Sequence, residues 1–269
     1  AGGWNDNHLV HQPACHRAEV IMARKNPGDI LGSAWNPVIG CDRYSAGCAG
    51  CWYLDGIFPW QQRLGNIPAH VMSSDSYTFR NRMCTTSLKT RSGIVGIVQH
   101  GDLFYEGHPD SLIHEVLDIV DEVAQARRVT PTYVLWTKRS RRMADLLTAR
   151  YPTGMPPYLV TAVSVEERAS LPRIDDLERV DGTRILVLEP LLEGVQLGRR
   201  LRGLHWVILG SETGTAPRPL QLDWVRDIRD EVKRAGIPFF VKQLGASHKH
   251  QERSLDGVEW SEFPPGFVK

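Results

Sequence analysis

Cys41-Asp42-Arg43-Tyr44-Ser45-Ala46-Gly47-Cys48-Ala49-Gly50-Cys51 places three cysteines within eleven residues, in the spacing C-x6-C-x2-C. Gly40, Gly47 and Gly50 lie among them. Glycine tolerates positive φ and close backbone approach, so a short loop built this way can turn its sulfurs toward one point. Three thiolates from one loop suit a [4Fe–4S] cluster ligated at three irons and open at the fourth, where a substrate or cofactor can bind. A C-x2-C pair with one more thiolate and a histidine also fits structural zinc. His70, His100 and His108 are available for that, without diagnostic spacing. A disulfide framework is the weaker reading: the chain has five cysteines in 269 residues, and no stretch has the pattern of a secretory signal.

Downstream of the loop, short apolar runs alternate with helical stripes. The runs are 93–99, 132–136, 158–163, 183–188, 205–209 and 238–241. The stretch 111–128 carries apolar residues at 112, 113, 116, 117, 120 and 123, with Asp110 as a candidate N-cap. A basic helix follows over 140–150, a helix with Leu171 and Leu177 comes next, and 222–235 is amphipathic, with Asp223 near its start and Gly236 just past its end. A possible further strand precedes Cys41. The pattern predicts an α/β fold: a partial (βα) TIM-type barrel of six to seven parallel strands covered by helices. Polar residues or glycine close nearly every run: His100-Gly101-Asp102, Thr137-Lys138-Arg139, Ser164-Val165-Glu166, Glu189-Pro190, Gly210-Ser211-Glu212 and Lys242-Gln243. That edge carries the active site of a barrel, and a doubly wound sheet places ligands at the same edge.

The remaining stretches carry weaker signals. The reading makes 1–30 a peripheral N-terminal arm holding Cys15 and His16, and 31–269 a single barrel domain with a C-terminal extension. Residues 54–65 read as a helix interrupted at Pro59, 67–88 as irregular chain with Tyr77 and Phe79 packing inward, and Cys84 as a buried small apolar residue. A net charge of +1 points to no particular partner, so a nucleic-acid surface would have to be a local patch. Lys138, Arg139, Arg141 and Arg142 are the candidates for one, or else a solvated helix face. No apolar run reaches the ~18 residues of a membrane helix, and cytoplasm is the expected compartment.

Several stretches also carry a family resemblance: 35–41, 45–53, Gly101-Asp102-Leu103-Phe104, 135–139, 163–166, 188–192, 206–212 and 239–245. They resemble the phage Gp37/Gp68 family (DUF5131), a radical-SAM-like group with a three-cysteine motif, in order over roughly residues 33–265. The resemblance implies a radical-SAM-like partial barrel with a [4Fe–4S] cluster on Cys41, Cys48 and Cys51. Its open iron would bind S-adenosyl-L-methionine (SAM) and, once reduced, yield a 5′-deoxyadenosyl radical that abstracts hydrogen from a substrate. Carried over, Gly101 and Asp102 would receive the SAM amino group. Ser164, Glu166 and Glu189 would meet the ribose or the substrate. Gly210 and Glu212 would make a backbone or adenine contact, and Lys138, Arg139 and Lys242 would offer cations to the SAM carboxylate or to an anionic substrate. An external electron donor such as flavodoxin or ferredoxin is implied. The phage association implies nucleic acid as substrate, for modification or DNA repair, with Trp52, Tyr53, Phe58 and Trp60 available for base stacking. Two other readings stay open: the same chemistry on a small molecule, and a non-catalytic nucleic-acid-binding module with a structural Fe–S or zinc site. The first cysteine gap departs from the common radical-SAM spacing C-x3-C-x2-C, Ser211 replaces a frequent glycine, and Tyr105 stands where histidine is common.

Overall fold

Strands buried on both faces read as continuous apolar runs, and here they assemble into one sheet. A computed structural model describes residues 30–214, 216–245 and 252–267; the expected arm with Cys15 and His16 lies outside them. The strands are β1 (Ser33–Trp35), β2 (Val38–Ile39), β3 (Tyr77–Thr78), β4 (Ile94–Ile97), β5 (Thr132–Thr137), β6 (Leu159–Ser164), β7 (Thr183–Leu188), β8 (Trp206–Gly210), β9 (Phe239–Gln243), β10 (Ser254–Leu255) and β11 (Val258–Glu259). The helices are α1 (Phe58–Arg63), α2 (Thr85–Lys89), α3 (Asp110–Gln125), α4 (Ser140–Arg150), α5 (Pro172–Glu178) and α6 (Leu222–Arg234). The main sheet has seven strands in the order β1-β4-β5-β6-β7-β8-β9, every neighbouring pair parallel, and forms a partial barrel. The expected six runs and the further strand before Cys41 are all present.

Right-handed crossovers between sequential parallel strands place the covering helices on one face. Alternation along each strand then sorts side chains between two layers. Leu186 and Leu188 of β7 and Val207 and Leu209 of β8 pack with Val116 and Val120 of α3, Leu147 of α4, Leu177 of α5 and Ile228 of α6. Their neighbours Ile185, Val187, Trp206 and Ile208 face the other way. That second face is filled by Ile30 and by the C-terminal extension: Trp206 meets the Phe263 ring at 4.8 Å and the Phe267 ring at 5.6 Å. Both layers are therefore dry along the strands, and polar groups collect at the strand ends.

Local elements depart from the sequence expectation in four places. Pro59 does not interrupt a helix. It sits in the first turn of α1, directly after a π-helical turn over Tyr53–Ile57, and the wider turn accommodates a residue that lacks an N–H and crowds the carbonyl four back. The 67–88 segment is not wholly irregular, since it holds α2 and the antiparallel β2–β3 pair. Asp110 is the first residue of α3 rather than its cap, and its carboxylate pairs with Arg142 at 2.5 Å. Cys84 is half-buried and disulfide-bonded, not a buried free thiol.

Trp206 tests the second layer. Trp206→Ala empties a fully buried site and is expected to cost about 3–5 kcal/mol, read as a lower denaturation midpoint with an unchanged slope.

Candidate functional site

The cysteine loop follows β2 and lies across the C-terminal ends of the strands, held there by contacts that need its glycines. A Cβ on Gly47 would sit 2.5 Å from Cγ of Glu166, the residue two past β6, and a Cβ on Gly50 would sit 3.2 Å from Oε1 of Glu212, two past β8. Gly40 and Gly101 press backbone against backbone: a Cβ on Gly101, whose φ is +124°, would lie 2.8 Å from the Gly40 carbonyl oxygen. The amides complete the docking, with Cys41 N–H donating to the Ser73 carbonyl at 2.8 Å and Asp102 N–H to the Gly40 carbonyl at 3.3 Å. Arg43 ties the loop's far end to itself through the carbonyls of Cys48 and Ala49.

Glu166 is the centre of this docking. It is 0 % exposed, and a buried carboxylate is costly unless its oxygens are paired. Oε1 accepts from Ser45 Oγ at 2.7 Å and faces Lys138 Nζ at 2.9 Å, while Oε2 accepts from Arg173 Nη1 at 2.7 Å. Burial alone would raise its pKa, but Lys138 and Arg173 outweigh burial and hold it below the ordinary carboxylate range. Lys138 Nζ also donates to Cys48 Sγ at 3.6 Å. Burial pushes that thiol up, and Lys138 together with backbone and Ser45 hydrogen bonds brings it below its ordinary value.

The next residue serves the first cysteine. Arg139 is 2 % exposed. Its Nη1 donates to Cys41 Sγ at 3.5 Å and to Asp102 Oδ2 at 3.3 Å, Nη2 to Asp42 at 2.6 Å, and Nε to Glu106 at 2.8 Å. The Tyr44 and Tyr105 rings flank the guanidinium at 4.7 and 5.1 Å. Burial pushes the Cys41 thiol up to about 12; Arg139 opposes this, and the Cys48 and Cys51 sulfurs add to it.

The other residues read from the sequence fall into two groups. Asp102 is clamped by its own chain: Thr137 Oγ1, the amides of Phe104 and Lys138, and Arg139 occupy both oxygens. These contacts engage both of its oxygens within the chain. Gly101 and Gly210 make room for protein atoms, a Cβ on Gly210 falling 2.9 Å from Gln243 Nε2 and 3.1 Å from Glu189 Cδ. Ser164 takes the Trp136 indole N–H at 3.1 Å. Glu212 is bound by Arg218, which also donates to the Ala46 carbonyl at 2.9 Å. Glu189 pairs with Lys242 at 2.8 Å and with Gln243 at 2.7 Å, and its side chain keeps 17 % exposure and that of Lys242 33 %. Within the basic run Lys138 and Arg139 turn into the site, Arg142 caps the carbonyls of Tyr105 and His108, and Arg141 is exposed. Tyr53 and Phe58 are core residues, and Trp52 and Trp60 are exposed.

Sequence reading missed Ser45, Arg173 and Arg218. The signal for the two arginines is the carboxylate at each strand end, which must find a cation if it is to be buried.

The donor set decides what metal fits. Among the described residues, no three Cys, His, Asp or Glu side chains converge to hold one metal ion. His108 Nδ1 is bound to Ser76 at 2.7 Å while its buried Nε2 has no hydrogen-bond partner among the described residues, His100 is stacked on Tyr53, and His70 is exposed. A cluster spreads its ligands over separate irons. A [4Fe–4S]2+ core on three thiolates carries a net charge of about −1, and the cationic N–H donors beside Cys41 and Cys48 suit that charge.

Fold and site together define a parallel α/β partial barrel with a three-cysteine loop at its C-terminal edge. A family model described as a protein of unknown function (DUF5131) matches residues 29–264, and the chain belongs to that family. A search of curated proteins finds no match. Among solved structures the chain is similar to one described as spore photoproduct lyase complexed with dinucleoside spore photoproduct, at 14% identity and a TM-score of 0.43. The match covers 75% of this chain and 61% of that one, so the chain spans about three fifths of its length. Among the described residues no helix is long and apolar enough to cross a membrane.

Gly47→Ala is expected to destabilise the folded chain by at least about 1 kcal/mol and to expose the loop to protease. Gly56→Ala meets nothing within 4 Å and is expected to do neither; thermal melts and limited proteolysis compare the two. A pH profile tests His108, which is 1 % exposed and which burial pushes down to about 4. The unfolded chain binds a proton there below about 6.5, so the contribution of neutral His108 is complete above that pH and lost as pH falls toward 4. His108→Gln is expected to remove up to about 3 kcal/mol of this acid dependence, seen as a flatter melting-temperature profile.

Proposed function

We propose that the protein is a radical SAM enzyme, with Cys41, Cys48 and Cys51 holding a [4Fe–4S] cluster. The observation that carries this reading is the three-cysteine loop docked over the C-terminal edge of a parallel partial barrel, with half-buried Lys138 and buried Arg139 donating N–H groups to two of its sulfurs. Cys41, Cys48 and Cys51 would hold the cluster, which would supply reductive cleavage of SAM with an electron from an external reductant.

The chain's own residues then have definite tasks. Glu166 and Glu212, through Ser45, Lys138 and Arg218, fix the loop against the strand ends. Glu189 and Lys242 are partly exposed, so they are positioned to meet the polar groups of SAM or of the substrate. The dry layers beneath the strand ends exclude water from below. External reductant is required, and a flavodoxin- or ferredoxin-like donor fits that need.

For the substrate, one observation favours the small-molecule reading over nucleic acid. Three of the four cations that suggested a phosphate surface are engaged by carboxylates, Lys138 by Glu166, Arg139 by Asp42, Asp102 and Glu106, and Arg142 by Asp110, which leaves Arg141 exposed. Phosphate contacts need cations free to replace released counterions. Trp52 and Trp60 are the exposed aromatics that keep base stacking available to a single-stranded substrate.

The test is anaerobic reconstitution with iron and sulfide. The expected product is a brown protein with about four irons per chain that, with dithionite and SAM, yields 5′-deoxyadenosine and methionine. Cys48→Ala is expected to lose both iron and product while keeping the wild-type far-UV circular dichroism. A colourless chain carrying one zinc, or a loaded cluster that leaves SAM intact, contradicts the proposal.

A further inference from the structure

We infer that Lys138, oriented by Glu166, is a positioning residue that sets the reduction potential of the cluster; the inference rests on the cluster reading above. Resemblance had assigned Lys138 to the SAM carboxylate. Its ammonium is instead engaged by Glu166 Oε1 at 2.9 Å and by Cys48 Sγ at 3.6 Å, with 18 % of the side chain exposed. Glu166 is held from behind by Arg173 and from the side by Ser45, so the ammonium cannot follow it away from the sulfur.

Charge separates Lys138 from its neighbour Arg139. The Lys138 group holds two cations, Lys138 and Arg173, around one carboxylate. Arg139 is one cation facing Asp42, Asp102 and Glu106. Both donate N–H groups to a sulfur, and only the Lys138 group is net positive. One-electron reduction adds one negative charge to the cluster. A net positive neighbour with an N–H on a ligand sulfur stabilises the reduced form more than the oxidised one, so it raises the potential. The effect is local, because a cation at the other end of the strands, such as Lys233 on Glu262 beside the start of β9, is screened and neutralised by its own partner.

The experiment is a potentiometric titration of the full-length chain, reconstituted anaerobically and followed by electron paramagnetic resonance. Lys138→Met is expected to shift the midpoint to more negative potential, Lys138→Gln to shift it in the same direction by less, and Lys138→Arg to keep it near the wild type. Lys233→Met is expected to leave it in place. A variant that melts like the wild type when metal-free but no longer holds a cluster also supports the assignment. Should Lys138→Met lower the metal-free melting temperature, Lys138→Gln carries the comparison alone. Loaded Met and Gln variants at position 138 with the wild-type midpoint overturn the inference, and so does an equal shift in Lys233→Met. A wild-type chain that takes up no cluster overturns the cluster reading and this assignment with it, whereas a loaded but unshifted pair overturns this assignment alone.

Discussion

The buried carboxylate of Glu166 is the constraint on which the site depends. It joins the cysteine loop through Ser45 and Gly47, the end of β5 through Lys138, and α5 through Arg173. Burying a charge without partners costs several kcal/mol, and here each oxygen has one. Breaking such an arrangement costs more than building an apolar substitute would, so Ser45, Lys138 and Arg173 are bound to one another by what each would leave unpaired. Glu212 and Arg218 repeat the device on the far side of the loop. Two carboxylates two residues beyond alternate strands thus meet two glycines of one loop.

This arrangement makes the loop rigid without using its sulfurs. A thiol that serves as a structural staple is consumed by its role. Here the loop is fixed by backbone amides, glycine contacts and salt bridges, and three thiols in it are free. The proposed cluster requires that freedom. The cations follow the same logic, since Lys138 and Arg139 are consecutive residues at one strand end and serve sulfurs at opposite ends of the loop. The strand end spreads two adjacent side chains to either side, so one dipeptide covers both.

Most of the sheet was legible because each strand is buried on both faces, which makes Thr183–Leu188 or Trp206–Gly210 an uninterrupted apolar run in the sequence. Helices α3 and α6 were legible for the complementary reason, one apolar stripe each. What escaped has a physical cause. Strands β2 and β3 are two residues long and pair across a separation of roughly forty residues, and no periodicity survives in so short an element. Pro59 reads as a break because the π turn that accommodates it leaves no local signature. Within the site, the strand-end position marked Glu166 and Asp102 as special but not their partners. Whether a carboxylate faces a ligand or clamps its own chain is decided by which amides and cations reach it, and Thr137 and Arg139 reach Asp102 only after folding. Glu167, one residue from Glu166, forms a capping box instead, a division of labour that two adjacent glutamates do not announce.

The central claim is that the docked loop presents a metal cluster with one iron open to a ligand. The most direct test is the electron paramagnetic resonance spectrum of the reduced, reconstituted protein with and without SAM. Binding at an open iron predicts that SAM changes the shape and g values of the cluster signal. A spectrum that SAM leaves unchanged, at concentrations where equilibrium dialysis shows it bound, would contradict the account.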